Sequence, residues 1–70
     1  MERQMVSSSC LKSVGYDPDR CLLEIEFLTG GVYQYFEVPE SIFRELMAAP
    51  SHGKYFLQHI RDKYRYQRIR

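Results

Sequence analysis

The side chains of this chain that could do chemistry crowd its second half, and they are cations and phenols rather than nucleophiles. Across residues 54 to 70, Lys54, Arg61, Lys63, Arg65, Arg68 and Arg70 stand against the single acid Asp62, a balance of +5. Residues 1 to 53 hold four basic and eight acidic side chains, a balance of −4, so a net charge of only +1 conceals a polarised chain. Tyr64 and Tyr66 interleave with the cations, a mixture suited to tracking a phosphate backbone while rings stack on bases. The competing account is a solvated helix end whose positive side chains complement the negative pole of the helix dipole.

Two further groups invite a functional reading. Tyr33 and Tyr35, two apart on one expected strand, form either a stacking platform for unpaired bases or a pair of core rings with hydroxyls at the rim. Ser51-His52-Gly53-Lys54 opens an expected helix. There, free amides, the Ser51 hydroxyl, the Gly53 backbone and Lys54 could hold a phosphate. The simpler account makes Ser51 an ordinary cap and Gly53 a point of close packing.

Catalysis has no comparable support. Cys10 and Cys21 form no C-x-x-C pair, His52 and His59 lie on another segment, and Ser7-Ser8-Ser9 lacks the glycines of a nucleophile elbow. We expect no enzyme, metal, cofactor or small-molecule substrate, since 70 residues leave little room for both a core and a catalytic pocket. His59 is expected to pack, half-buried, on the aromatic side of a helix. The cysteines are expected as small buried or half-buried hydrophobes in a reducing compartment, too far apart for a disulfide. With no membrane-spanning run and no signal-peptide pattern at the N-terminus, the expected location is the cytoplasm.

The elements that must position these residues are legible from punctuation and period. Hydrophobic content of 44% with 27% charged residues, three prolines and four glycines describes a globular chain. Residues 1 to 8 read as a flexible lead-in. A first strand runs from about Ser9 to Tyr16, with a bulge near Lys12 and Ser13 where the alternation slips. Asp17-Pro18-Asp19 is a turn. In the second strand Cys21, Leu23, Ile25 and Phe27 face the core and Glu24 and Glu26 face out. Thr29-Gly30-Gly31 reverses the chain into a third strand, Val32 to Val38; a three-residue loop puts Tyr33 and Tyr35 on the core face, a two-residue loop on the outer one, and we favour the former.

Pro39 starts a helix whose Ile42, Phe43, Leu46 and Met47 make an apolar stripe, and Ala49-Pro50 stops it. A second helix, capped by Ser51, is expected to reach about Tyr64, with residues 65–70 continuing it or fraying and 67–70 forming a basic tail beyond the domain. The expected fold is therefore α+β: a three-stranded antiparallel meander followed by two helices on one face, β-β-β-α-α.

The ordered set Val14-Gly15-Tyr16-Asp17, Leu23 to Phe27, Tyr33-x-Tyr35-x-x-Val38-Pro39, Ala49-x-Ser51-x-Gly53-x-Tyr55-Phe56 and Ile60-Arg61-x-x-Tyr64 resembles the KTSC domain, over about residues 9–66. The resemblance implies a module found at the C-terminus of some lysyl-tRNA synthetases and in free-standing bacterial and phage proteins, for which RNA binding has been suggested. Combined with the residues, it favours contact with RNA or another single-stranded nucleic acid through Lys54, Arg61, Lys63, Arg65, Arg68, Tyr33 and Tyr35. The alternative is a protein-interaction or homodimer module in which exposed tyrosines and Phe36 form the contact patch.

Overall fold

Asp17 begins the first reversal by accepting a hydrogen bond from the Asp19 amide at 3.0 Å, and Cys21 completes it with φ +52. Either side of this turn lie β2 (Leu11–Asp17) and β3 (Leu22–Phe27) of the computed structural model, which describes residues 1–70. They pair antiparallel, with the register slipping between Leu11 and Ser13 where the bulge was expected. Phe27 and Gly31 close the next reversal around Leu28, Thr29 and Gly30, the amide of Phe27 donating to the Gly31 carbonyl at 2.9 Å and Gly30 taking φ +103. The three-residue loop sets the register of β4 (Val32–Tyr35) so that Tyr35 opposes Leu23 and Tyr33 opposes Ile25. Both tyrosines therefore share the core face.

The sheet has five antiparallel strands rather than three, and strands consecutive in the chain are neighbours in the sheet. Gln4–Met5 forms β1 against β2, within the stretch expected as a lead-in. Tyr66–Arg68 forms β5 against β4, within the stretch expected to extend the second helix or fray. These edge strands are two and three residues long and exposed, so neither leaves a hydrophobic period to read.

Helix α1 (Glu40–Ala48) follows Pro39 and stops at Ala49, whose extended backbone (φ −68, ψ 140) is what the following proline demands. Helix α2 (His52–His59) is capped by Ser51, whose hydroxyl accepts from the Lys54 amide at 3.2 Å. It ends one turn earlier than expected: the amides of Ile60 and Arg61 both donate to the Phe56 carbonyl, and Asp62 adopts φ +64, turning the chain back toward the sheet. Leu46 and Phe56 from the helices meet Val14, Leu23, Ile25 and Tyr35 from the sheet in one core, with Ile60 completely enclosed at the end of α2. Tyr16 stacks on Phe43 at 5.1 Å and donates to the Val38 carbonyl, and the hydroxyl is pushed up to about 12, chiefly by burial. The cysteines are free and exposed, not buried as expected, because Cys21 lies in the turn and Cys10 precedes β2. His59 is likewise exposed, its ring beside Tyr55 at 4.4 Å.

Candidate functional site

Pairing with β4 decides where the basic tail points. Tyr66 opposes Tyr35 and Arg68 opposes Tyr33, so both side chains are directed to the helix side of the sheet. The tail is tied down along its length: Phe36 donates to Arg65, Ile69 donates to Val32, and Val32 donates to Arg70, at 2.8–3.0 Å. Its Tyr66 ring lies 5.8 Å from Tyr33 and 5.7 Å from Tyr35. Phe27 meets Tyr33 edge-on at 5.5 Å and Phe56 at 5.3 Å. These rings enclose a groove of about 380 Å³, whose far wall is Phe56 and Leu57 of α2 with Arg61 and Asp62 of the following turn, and Cys10 stands at its rim. The Arg68 guanidinium lies 5.8 Å above the Tyr33 ring. Tyr66 and Leu57 are 54% and 52% exposed, so rings and an apolar side chain face solvent across the opening.

The two tyrosines expected as a pair divide their roles. Tyr35 is 5% exposed and packs edge-on against Phe56 at 5.7 Å, so it is floor, and its face has no room for a stacked base. Burial first, then Tyr33 and Tyr66, raise its hydroxyl pKa; Arg61 opposes them and Asp62 adds to them, so both charges of the turn are felt at the groove floor. Tyr33 is half-buried and forms a wall. Arg61 lines the groove and Arg68 lies over the Tyr33 ring, while Arg65 lies over the Phe36 ring at 5.2 Å and Lys63 is exposed in the turn. Lys54 is at the opposite end of α2, about 10 Å along the axis from Arg61. Of the cations in the tail, only Arg70 is neutralised, by Glu26 at 2.8 Å.

At the expected anion site of Ser51, Gly53 and Lys54, the serine serves as the helix cap. The Ser51 hydroxyl already accepts from Lys54, and a Cβ at Gly53 would lie 3.5 Å from the Cys10 Cβ and 3.8 Å from the Ser8 hydroxyl. Gly53 thus faces Cys10 and Ser8 at ordinary contact distance.

Glu24 and Glu26 of β3 lie on the other side of the sheet. Arg3 pairs with Glu24 and, at 3.6 Å, with Glu26, while its Nε donates to Ser13 at 3.0 Å. Ser13 donates to Glu26 at 3.0 Å, and Gln34 to Glu24 at 2.9 Å. The Ser13 hydroxyl, followed by Lys12, Arg3 and Arg70, holds Glu26 below its ordinary carboxylate range against a smaller opposing effect of desolvation. The groove therefore lies on one face, and the paired carboxylates on the other.

The KTSC domain model matches residues 7–64. This chain belongs to the KTSC domain family. It is similar to the KTSC domain protein of Yersinia pestis known from a crystal structure, with 45% identity, a TM-score of 0.96, and coverage of 99% of this chain and 97% of that one. An uncharacterized protein of Stutzerimonas stutzeri is 43% identical over 99% of both chains. A lysine–tRNA ligase of Nostoc sp. is 38% identical over 87% of this chain, which spans only 11% of the ligase. No helix of this KTSC domain is long and apolar enough to cross a membrane.

Sequence reasoning noted Tyr66 among the tail cations but left it out of the site, together with Phe27, Leu57 and Asp62. The signal for Tyr66 was the alternation Tyr66-x-Arg68, which as strand rather than helix puts both residues on one face. Nothing local marked Leu57 or Asp62, whose places depend on where α2 ends.

Proposed function

We propose that this KTSC domain is a non-catalytic module that contacts single-stranded RNA, seating an unpaired base in the groove between β5 and α2. The observation that supports this most is the opening itself, with the half-buried Tyr33 ring and the exposed Tyr66 ring on one side, exposed Leu57 on the other, Arg61 in its lining and Arg68 over Tyr33. Aromatic faces take bases regardless of sequence, and cations beside them take the backbone. In this reading Tyr66 and Tyr33 stack the base, Arg68, Lys63 and Arg65 follow the phosphates, and Lys54 is too far along α2 to join them. The similarity to a segment of lysine–tRNA ligases, proteins named for acting on tRNA, agrees with an RNA ligand.

Fluorescence anisotropy with a labelled RNA heptamer across a salt series is the test. Three phosphate contacts predict a log–log salt slope of about −2, and Lys63→Ala or Arg65→Ala should each reduce its magnitude by about 0.7. Tyr66→Ala should weaken binding by about 1–3 kcal/mol. Absence of binding at low salt, with a concentration-dependent dimer in sedimentation, would overturn the proposal in favour of a protein-contact module, for which exposed Leu28, Leu57 and Tyr66 supply apolar surface.

A further inference from the structure

Within the aromatic groove one side chain runs against simple polyanion binding. Asp62 lines it beside Arg61, and a carboxylate there repels phosphate. It is also free of internal partners, since the six ion pairs of the protein use only Asp17, Glu24, Glu26 and Glu40 as their acids. Its position is held: Arg61 donates to Phe56 at 2.9 Å and Lys63 donates to Ile60 at 3.0 Å on either side of it. Its φ of +64 is tolerated by few side chains apart from asparagine and aspartate. The groove thus offers a slot lined by aromatic rings, the two acceptor oxygens of Asp62 and, in the preceding residue, a guanidinium fork.

A ligand that matches all three is a planar ring with two donors side by side and two acceptors on the neighbouring edge. Among the bases, guanine alone has this arrangement: N1–H and the N2 amine are adjacent, and O6 and N7 suit an arginine fork. Adenine presents a single amine, and uracil a single ring N–H. We infer that the groove selects guanine, with Asp62 accepting from N1–H and the N2 amine and Arg61 donating to O6 and N7. This rests on the RNA-contact reading and adds a base preference to it.

The experiment measures anisotropy with uridine heptamers carrying guanosine, inosine or adenosine at the centre, using wild type and Asp62→Asn. Asparagine keeps the backbone conformation but turns a donor toward guanine's donor pair, and thermal melts of the variant establish that it is folded. Wild type should prefer guanosine over adenosine about tenfold, with inosine between them because it lacks the N2 amine. Asp62→Asn should abolish the preference, guanosine and adenosine then binding alike. Equal binding of guanosine and adenosine by wild type would overturn the inference and leave the RNA-contact reading standing. A guanosine preference that survives Asp62→Asn would overturn the role given to Asp62. No binding of any heptamer at low salt would overturn both.

Discussion

The Cys10 thiol stands exposed at the groove rim, whereas Cys21 lies in the β2–β3 turn. One bulky maleimide on Cys10 should therefore block RNA binding in a Cys21→Ser background, while the same label on Cys21 in a Cys10→Ser background should leave affinity within about twofold; equal effects at both sites would place the ligand elsewhere. On the opposite face Gly15 has a structural task, because a Cβ there would come within 2.6 Å of the Glu2 carbonyl oxygen. Gly15→Ala should displace β1 and the Arg3 ion pairs, lowering stability by about 1–2 kcal/mol in a denaturant titration and raising exchange of the Val6 amide, which donates to the Lys12 carbonyl. Gly53 behaves differently: an added methyl meets only ordinary contacts, so Gly53→Ala should stabilise α2 by up to about 1 kcal/mol. Glu26 sets the acid response. Its folded pKa lies below the ordinary 4.5, so the stability it contributes is fully present above that value and is lost as pH falls through the folded pKa. Exchange of the Val6 and Ile69 amides should accelerate below about pH 4 before the core amides of β3 respond, and Glu26→Gln should remove that early acid phase.

The elements with strong local grammar were legible. Asp17-Pro18-Asp19, the Gly30 reversal, Ala49-Pro50 and the Ser51 cap each impose a backbone conformation chemically, and each turn or helix end lies where its residues require. The face of the Tyr33 and Tyr35 rings was legible for the same reason, since loop length sets register. What escaped was decided at a distance. Short edge strands exist only because β2 and β4 leave unpaired backbone groups to satisfy, and Tyr66–Arg68 has as much local claim to helix as to strand. The end of α2 was misplaced because Asp62 at φ +64 is a tertiary concession that no period announces. The groove depends on both of these, so its rings were visible as composition but not as a constellation. β5 is itself an open edge, and Arg68 in it and Arg65 beside it oppose pairing with a second copy through like charge. Replacing Arg65 and Arg68 with threonine together should increase concentration-dependent self-association in sedimentation velocity.

At the scale of the molecule the net charge of +1 is a sum over two unlike surfaces. Glu24 and Glu26 are consumed by Arg3, Lys12 and Arg70 on the outer side, which leaves Arg61, Lys63, Arg65 and Arg68 without acidic partners. A near-neutral chain can therefore hold a local positive field without the self-repulsion of a basic protein. With a radius of gyration of 10.6 Å the chain has the compactness expected for its 70 residues, and a domain of this size has about 4–10 kcal/mol of stability in total. Ile60 is wholly enclosed where α2 meets the sheet, so Ile60→Ala should cost about 2–4 kcal/mol in a urea titration, a large part of that reserve. The wall of the groove is its thinnest strand: Tyr66 belongs to a three-residue segment at the sheet margin. Occupancy and strand docking are then one coupled equilibrium. A ligand wedged against Tyr66 would act as a clasp on the carboxyl-terminal segment, and any detachment of that segment would lower apparent affinity by the fraction of time it spends away.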